Sequence, residues 1–408
     1  MPVLSRYHNT MSVRRGLRVI FFVEGFTDIR FVVGLSRICE LTMIVPARQY
    51  AQSGLRKRVT DSGASLRVIE VDGGRLSFQF HSLAELWRSA GECDVILSQE
   101  VLRGSLNANL VGRLRSVPVV TYMGISPLEY FNCRRERQQI GPLTALLGAT
   151  VIRTAAAING RLATVCLAMG PYLRDKAAEM GARSEVGLYY GVDVDLFRPA
   201  GSDERRSLRS RLDLPAEKFL VVLSSRISHE KDPETVVRAV ALARARGLDA
   251  VLLNLGGGYR EFLALPARLG IENTGGWVMG RPAVHPGAEL ADYFRAADVV
   301  ALASLAEGAA YSTLEALACA TPVVATAVGG MAVQLDGYAE LTPRRDHEAM
   351  AAALLAVAAD PGPARARASR GREYVCRDWN REKAFADLAR VLASVAMPLP
   401  APAAVRTR

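Results

Sequence analysis

The sequence predicts an α/β protein with two doubly wound parallel sheets, one in each half of the chain. Three observations carry this. Short apolar runs alternate with longer helical stretches across short turns, the rhythm of strand–helix–strand units. The apolar runs are continuous, as in strands covered on both faces. The chain, at 408 residues with 50% hydrophobic and 23% charged, is long for one core and favours two or three domains.

In the first half, Leu17 to Val23 reads as strand one, with Glu24-Gly25-Phe26-Thr27 as its turn. Asp28 is placed to cap a helix running to about Arg37. Strands follow at Leu41–Val45, Leu66–Val71, Val95–Leu97, Pro118–Thr121 and Thr164–Leu167. Helical patterns lie between them, at Leu83–Arg88, from Ser126-Pro127, at Leu143–Asn159 and at Tyr172–Met180. Arg56-Lys57-Arg58 sits in a polar segment and reads as a solvated face. Ligands bind such sheets at the carboxyl ends of strands. That makes Glu24, Gly25 and Phe26, and Tyr122, Met123 and Gly124, candidates for a cleft.

The second half repeats the alternation. Phe219–Ser224 is a strand, followed by Ser225-Arg226 and by His229-Glu-Lys231-Asp-Pro. A basic pair just past a strand end suits a pyrophosphate, and arginine offers a fork of donors. Ala250–Leu255 is the next strand, and Gly256-Gly257-Gly258 after it lets backbone approach a ligand closely. It is not a GxGxxG fingerprint and no Walker lysine follows, so nicotinamide and P-loop readings are weak. Trp277-Val278-Met279-Gly280-Arg281 is a short strand and turn. Asp298–Ser304 and Thr321–Thr326 are strands that flank one short helix, which Ser312 or Thr313 could begin. A strand, a loop and a helix N-terminus make an anion site. Glu307 and Glu315 place two carboxylates around it.

Composition excludes several classes. No continuous apolar run reaches the roughly 18 residues of a membrane span. The apolar stretch after Arg14-Arg15 is too short for a signal peptide. The six cysteines are scattered without a CxxC pair, which suggests neither zinc nor disulfides and fits a reducing cytoplasm. Net charge is +10, carried mostly by residues 1–200, with 25 Lys and Arg against 17 Asp and Glu. No nucleic-acid signature accompanies it. An anionic membrane surface is the secondary expectation, through Arg56-Lys57-Arg58 and Arg134, Arg135 and Arg137.

The stretch Glu307-Gly-Ala-Ala-Tyr-Ser-Thr-Leu-Glu315, followed by Ala-Leu-Ala-Cys-Ala-Thr-Pro-Val-Val-Ala-Thr, resembles the retaining glycosyltransferases of family 4. Gly191-Val-Asp193, with Phe197 and Pro199, resembles the place in that family where the chain crosses between domains, although Tyr190 stands where relatives have Asn. The resemblance covers roughly residues 17–396 and its motifs concentrate from 186 onward. It implies the GT-B fold: two Rossmann-like domains facing across a cleft, with a C-terminal helix crossing back. The implied divisions are a loose tail over 1–16, an acceptor-side domain over 17–200, a donor domain over 201–380, the crossing helix over 381–396 and a disordered tail over 397–408.

The resemblance implies site roles as well. Arg226 and Lys231 would hold a donor diphosphate. Glu307 would lie beside the donor sugar and Glu315 on the ribose. Ser312, Thr313, Gly308, Ala309, Ala310, Gly256, Gly257, Val278, Met279 and Arg281 would line the donor. The donor would be a nucleotide-diphosphate sugar, with no cofactor, no metal and an unidentified acceptor. A nucleotide-sugar epimerase on the same fold and a silent binding protein are the alternatives. The chain departs from the family pattern in four places. No histidine follows Thr121-Tyr122-Met123, Gly25 stands alone after strand one, Ala309 and Ala310 replace an aromatic and a glycine, and Ala332-Val333 replaces Pro-Glu.

Overall fold

The computed structural model describes residues 16–396, apart from Phe26 and Gln139 and the side chains of Arg75 and Arg103. The expected tails, all but Gly16, lie outside these residues.

The first half runs β1 (Arg18–Phe22), α1 (Ile29–Ile38), β2 (Glu40–Pro46), α2 (Ala47–Gln52), α3 (Leu55–Asp61), β3 (Leu66–Val71) and α4 (Arg75–Ser89). It continues with β4 (Val95–Ser98), α5 (Arg103–Arg115), β5 (Val119–Met123), α6 (Pro127–Gln138), α7 (Pro142–Leu162), β6 (Val165–Ala168), α8 (Pro171–Glu179) and β7 (Ser184–Val186). All seven strands are parallel, in the order β3-β2-β1-β4-β5-β6-β7. Successive residues of β1 serve opposite faces. Val19 and Phe21 pack with Phe31, Leu35 and Leu55 from α1 and α3, whereas Ile20 and Phe22 pack with Phe78, Leu86 and Val111 from α4 and α5.

The second half runs α9 (Ser202–Arg211), β8 (Phe219–Leu223), α10 (Pro233–Ala245), β9 (Ala250–Asn254), α11 (Tyr259–Leu263), α12 (Leu265–Arg268) and β10 (Val278–Gly280). Then come α13 (Ala288–Ala296), β11 (Val299–Leu302), α14 (Tyr311–Ala318), β12 (Val323–Thr326), α15 (Gly329–Leu335) and β13 (Glu340–Thr342). The helices α16 (His347–Ala359), α17 (Pro361–Asp378) and α18 (Arg381–Ala396) close the chain. This sheet is also parallel, ordered β10-β9-β8-β11-β12-β13. In both sheets the strand order reverses beside the first strand, at β1/β4 and at β8/β11. Open α/β sheets bind ligands at such switch points.

Some elements escaped the sequence reading for a physical reason. β7 and β13 are three-residue edge strands, Ser-Glu-Val and Glu-Leu-Thr, with no apolar run to mark them. Arg56-Lys57-Arg58 lies within α3, which buries Leu55 and Val59 one turn apart. One exclusion is corrected. α7 spans 21 residues and contains an 18-residue window of mean hydropathy 1.3, long and apolar enough to cross a membrane by those measures alone. Arg153 and scattered polar residues interrupt it, so a search for a continuous apolar run misses it.

Two crossings join the halves, and they pair with each other. Val192 N–H donates to Trp379 O at 2.7 Å, and Arg381 N–H donates to Val192 O at 2.9 Å. α18 then packs Phe385, Leu388 and Leu392 into the core on the α1 side of the first sheet. Gly191 lies at φ +61, and a Cβ there would sit 2.6 Å from Arg381 Cα and 2.7 Å from Asn380 O. Gly191→Ala is therefore expected to destabilise the protein by at least about 1–3 kcal/mol, the usual cost of a strained backbone residue. Urea unfolding measures it, and a midpoint equal to the parent's would show that the crossing tolerates a side chain.

Candidate functional site

The loop after β8 and the loop after β11 meet at the switch point of the second sheet. Arg226 follows β8, and Lys231 ends a 3-10 turn over His229–Lys231. Leu305 N–H donates to Glu230 O at 2.8 Å and ties the two loops. Lys231 Nζ donates to Glu307 Oε2, which also accepts from Ser304 Oγ at 3.1 Å. Glu307 is thus a nearly buried carboxylate held by a cation and a hydroxyl. Arg226 is more open, with its side chain 64% exposed and one contact to Glu230 Oε1 at 2.7 Å. On the same loop, Ser225 Oγ and His229 Nε2 are buried without a partner. Orphaned polar atoms beside two cations suit an oxygen-rich anion.

Glycines set how closely these loops approach. A Cβ on Gly256 would lie 1.7 Å from Ser225 O, so its bare α-carbon faces protein backbone, not a ligand as the sequence suggested. Gly257 O accepts from Ile227 N–H at 2.8 Å and fixes the Arg226 loop from the other side. A Cβ on Gly308 would meet Gly124 O at 2.2 Å and Leu173 Cδ1 at 2.7 Å, so the glutamate loop touches the first domain directly.

The helix α14 begins after this loop. Ala309 and Ala310 are buried, and Ala310 N–H donates to Gln334 Oε1 at 3.0 Å. Ser312 is half-buried in the first turn. Thr313 is fully buried; its hydroxyl donates to Ala310 O at 2.7 Å and its amide to the same oxygen at 3.1 Å. Its polar groups serve the helix itself. Val278 is buried and Met279 half-buried on β10. Arg281 directs its guanidinium to the carbonyls of Leu212 and Asp213, each at 3.4 Å.

Glu315 is only 3% exposed at its side chain and faces Arg30 of α1, with Nη1 to Oε1 at 2.5 Å. Arg30 also contacts Asp28 at 2.9 Å and lies 4.0 Å above the Tyr190 ring. Burial pushes the Glu315 carboxyl up from its ordinary value, against the pull of Arg30. The Arg30 guanidinium is held charged: burial opposes it, but Glu315, Tyr190 and Asp28 outweigh that. The sequence reading missed Arg30, Tyr190 and Gln334. One signal for Arg30 was available, since a cation in the first turn of a helix opposes the macrodipole and calls for an anionic partner.

The first domain's candidates divide. Glu24 accepts from Gln79 Nε2 at 2.7 Å, and Gly25 is half-buried beside it. Phe26 lies outside the described residues. Tyr122 and Met123 are corrected: both side chains are core. The Tyr122 ring packs edge-on to Phe31 at 5.4 Å and to Tyr189 at 5.3 Å, while Met123 joins Val101 and Leu173. Strand alternation sends neither side chain past the strand end. Gly124 reaches the other domain, at Gly308.

Two large cavities lie outside the Lys231–Glu307 contact itself, the second of them lined by His229 and Leu305. One of about 820 Å³ lies at the amino ends of the second sheet's strands, around Arg209 and Asp298. Another of about 1000 Å³ lies beside the 3-10 turn, between Glu136 and Arg238. The cleft itself is narrowed by direct contacts, including Glu136 to Arg344 and to Arg345, each at 2.8 Å.

The Arg30–Glu315 pair gives a stability test. Arg30→Met leaves a buried carboxylate without its cation, which costs about 3–5 kcal/mol, at the low end here because Arg30 is partly exposed. Arg30→Met combined with Glu315→Leu removes both charges and is expected to regain most of the loss. The single variant's penalty should shrink as pH falls. A carboxyl whose folded pKa is raised is protonated first in the fold, so its neutral form stabilises at low pH and that gain is lost as pH rises. Denaturant titration at neutral and acidic pH measures this, and additive single losses in the double variant would dissolve the pairing.

Comparison with known proteins extends the description. The profile for Glycosyl transferases group 1 matches residues 218–360. The chain is 32% identical over 286 residues to D-inositol 3-phosphate glycosyltransferase 1 of Catenulispora acidiphila, covering 67% of this chain and 63% of that one. It is 36% identical over 225 residues to the D-inositol 3-phosphate glycosyltransferase of Xylanimonas cellulosilytica, covering 52% and 51%. The matched stretch therefore spans about half to under two thirds of these relatives' length. In three dimensions the chain resembles Anabaena HepE in complex with UDP-glucose, at TM-score 0.72 and 18% identity, over 92% of this chain and 99% of that one. It resembles sucrose-phosphate synthase from Thermosynechococcus elongatus equally, at TM-score 0.72 and 19% identity, over 94% and 99%. Residues 218–360 match the glycosyl transferases group 1, and two parallel sheets joined by paired crossings give the chain the GT-B fold.

Proposed function

We propose that this protein moves a sugar from a nucleotide-diphosphate sugar to an acceptor, with retention of anomeric configuration and without a metal ion. The observation that carries the proposal is the constellation at β8/β11: Arg226 and the orphaned Ser225 Oγ on one loop, with Lys231 of that loop held on Glu307. As the bond from the anomeric carbon to the diphosphate oxygen breaks, negative charge gathers on the leaving group. Fixed cations aimed at that charge stabilise the transition state more than the ground state. Arg226 and Lys231 supply the charge that a divalent ion supplies elsewhere. In this reading Glu307 faces the positive charge that would develop on the sugar. The structural neighbour HepE is in complex with UDP-glucose, a ligand of the proposed donor class. Admission of the donor requires the Arg30/Glu315 contact to part so that Glu315 can take the ribose, and renewed closure at Gly124/Gly308 would exclude water. The family residues of the acceptor side are altered here, which leaves the acceptor's chemistry open.

A nucleoside diphosphate is expected to raise the melting temperature in the presence of EDTA. At a hundredfold over its dissociation constant it should add about 2.7 kcal/mol. A shift that disappears with EDTA would sink the metal-free reading, and the absence of any shift would sink the donor site.

The two glutamates should separate kinetically. Glu315 on the ribose would bind ground state and transition state alike, so Glu315→Gln raises KM with kcat less affected. A charged hydrogen bond is worth roughly 1.5–3 kcal/mol, hence a loss on the order of ten- to a hundredfold in diphosphate affinity. Glu307→Gln should cut kcat and leave that affinity nearly intact. Turnover like the parent's in Glu307→Gln, or unchanged affinity in Glu315→Gln, removes that residue's role.

A further inference from the structure

The helices α4, α5 and α7 cover one face of the first sheet, and polar side chains stitch them together. Asn107 Nδ2 donates to Gln79 O at 2.8 Å, and Asn109 Nδ2 donates to Asn159 Oδ1 at 3.1 Å. Their inner sides are core, but their outer sides are apolar too. α4 leaves Leu76, Phe80 and Trp87 exposed, at 81%, 74% and 44%. α5 leaves Leu106, Leu110 and Leu114 exposed, one per turn. α7 leaves Leu143, Leu146, Leu147, Val151 and Ile158 exposed. Among the described residues, the exposed large apolar side chains elsewhere are Leu263 and Val333. Single exposed leucines are ordinary, whereas a patch gathered on three neighbouring helices marks a contact surface.

The charge on this face has one sign. Arg113, Arg115, Arg153 and Arg161 are exposed, and neither α5 nor α7 contains an acidic residue. The acid of α4, Glu85, is paired with Arg88. The Arg115 guanidinium lies 5.0 Å above the Trp87 ring, an aromatic and a cation side by side.

We propose that the α4/α5/α7 face docks on an anionic lipid leaflet, with the helices lying in the plane of the interface. Leucines and a tryptophan among arginines are the composition that headgroups and upper acyl chains accept. A second copy fits poorly, because it would set arginines against arginines with no free carboxylate between them. α7 would lie along the surface, not span it. Its Asn159 donates to Leu102 O at 2.7 Å and accepts from Asn109, which holds the helix on the domain. The face also lies across the sheet from α3, so a planar bilayer cannot engage it and Arg56-Lys57-Arg58 together. The net charge that first pointed to a membrane thus acts through a different surface from the one the basic triplet suggested.

The test is sedimentation of the full chain with vesicles of phosphatidylcholine alone or mixed with phosphatidylglycerol, at low and physiological salt. Its readout does not depend on sugar transfer. The expected result is sedimentation with the phosphatidylglycerol vesicles, weakened by salt. Leu147→Glu and Val151→Glu should each lower partitioning by about tenfold or more, as a withdrawn apolar side chain implies. Arg56→Glu should leave it within about twofold, a change worth only a few tenths of a kcal/mol. Equal melting temperatures would show that the variants fold. Absence of sedimentation, equal binding to both vesicles, or full binding by Leu147→Glu would overturn the proposal. So would a lipid-free dimer that Leu147→Glu dissociates, since a second copy would then cover the face.

Discussion

A carboxylate as enclosed as Glu315 must be paired, and that requirement organises the junction between the two domains. Its cation comes from Arg30, in the first turn of a helix far away in sequence. Arg30 is itself oriented by Asp28 and lies on the Tyr190 ring, which belongs to the crossing. Tyr190 packs on Tyr311 at 4.3 Å, and Tyr311, the first residue of α14, donates its hydroxyl to Leu188 O. One ion pair thereby connects the start of α1, the interdomain crossing and the helix that follows the Glu307 loop. Removing either charge would leave the other stranded in low dielectric, so without a ligand the elements that carry them are held together.

Backbone contact without side chains does the same work on the other side of the site. Gly308 lies on Gly124, Gly330 lies on Gly308 with a would-be Cβ 2.0 Å from its carbonyl oxygen, and Gly256 lies on Ser225. These approaches place the β8 and β11 loops within reach of one another. They bring Lys231 to Glu307 without a long side chain having to search for its partner. Preorganisation of this kind matters for charge stabilisation, because donors already in place need not reorient as charge develops.

The parallel sheets were legible because their strands are covered on both faces and read as continuous apolar runs. β1, β8, β9, β11 and β12 all show this. Arg226 and Glu307 were legible because each lies in the loop after a strand, and Lys231 and Glu315 because they follow those residues at short spacing. Three kinds of feature were not. Edge strands such as β7 carry no apolar run. A pair such as Arg30–Glu315 is invisible to any local pattern, because its members are joined only through tertiary structure. The replacement of an expected Asn by Tyr190 has a tertiary reason, since the ring lies beneath Arg30, where an amide would offer no face to a guanidinium. Tyr122 and Met123 were misplaced for a simpler reason. A strand's last residues still alternate between its two faces, so standing near the carboxyl end does not put a side chain in the cleft.

The two faces of the first sheet meet different fates, and the crossing explains why. α18 returns from the second domain and packs with α1 on one face, adding Phe385, Leu388 and Leu392 to that core. A Cβ on Gly34 would lie 1.8 Å from the Phe385 ring, so α1 and α18 are in close contact. The apolar side chains of α1 are therefore covered by the protein's own chain. Nothing among the described residues plays that part for the outer sides of α4, α5 and α7. A doubly wound sheet needs only the inner stripe of each helix to be apolar, because the outer stripe ordinarily meets water. Leucines at Leu106, Leu110 and Leu114 do nothing for the sheet's own stability, and the arginines between them keep the face compatible with water when it is free. The sheet does not require this outer stripe to be apolar, and the proposed interface, apolar in depth and anionic at its surface, would match it.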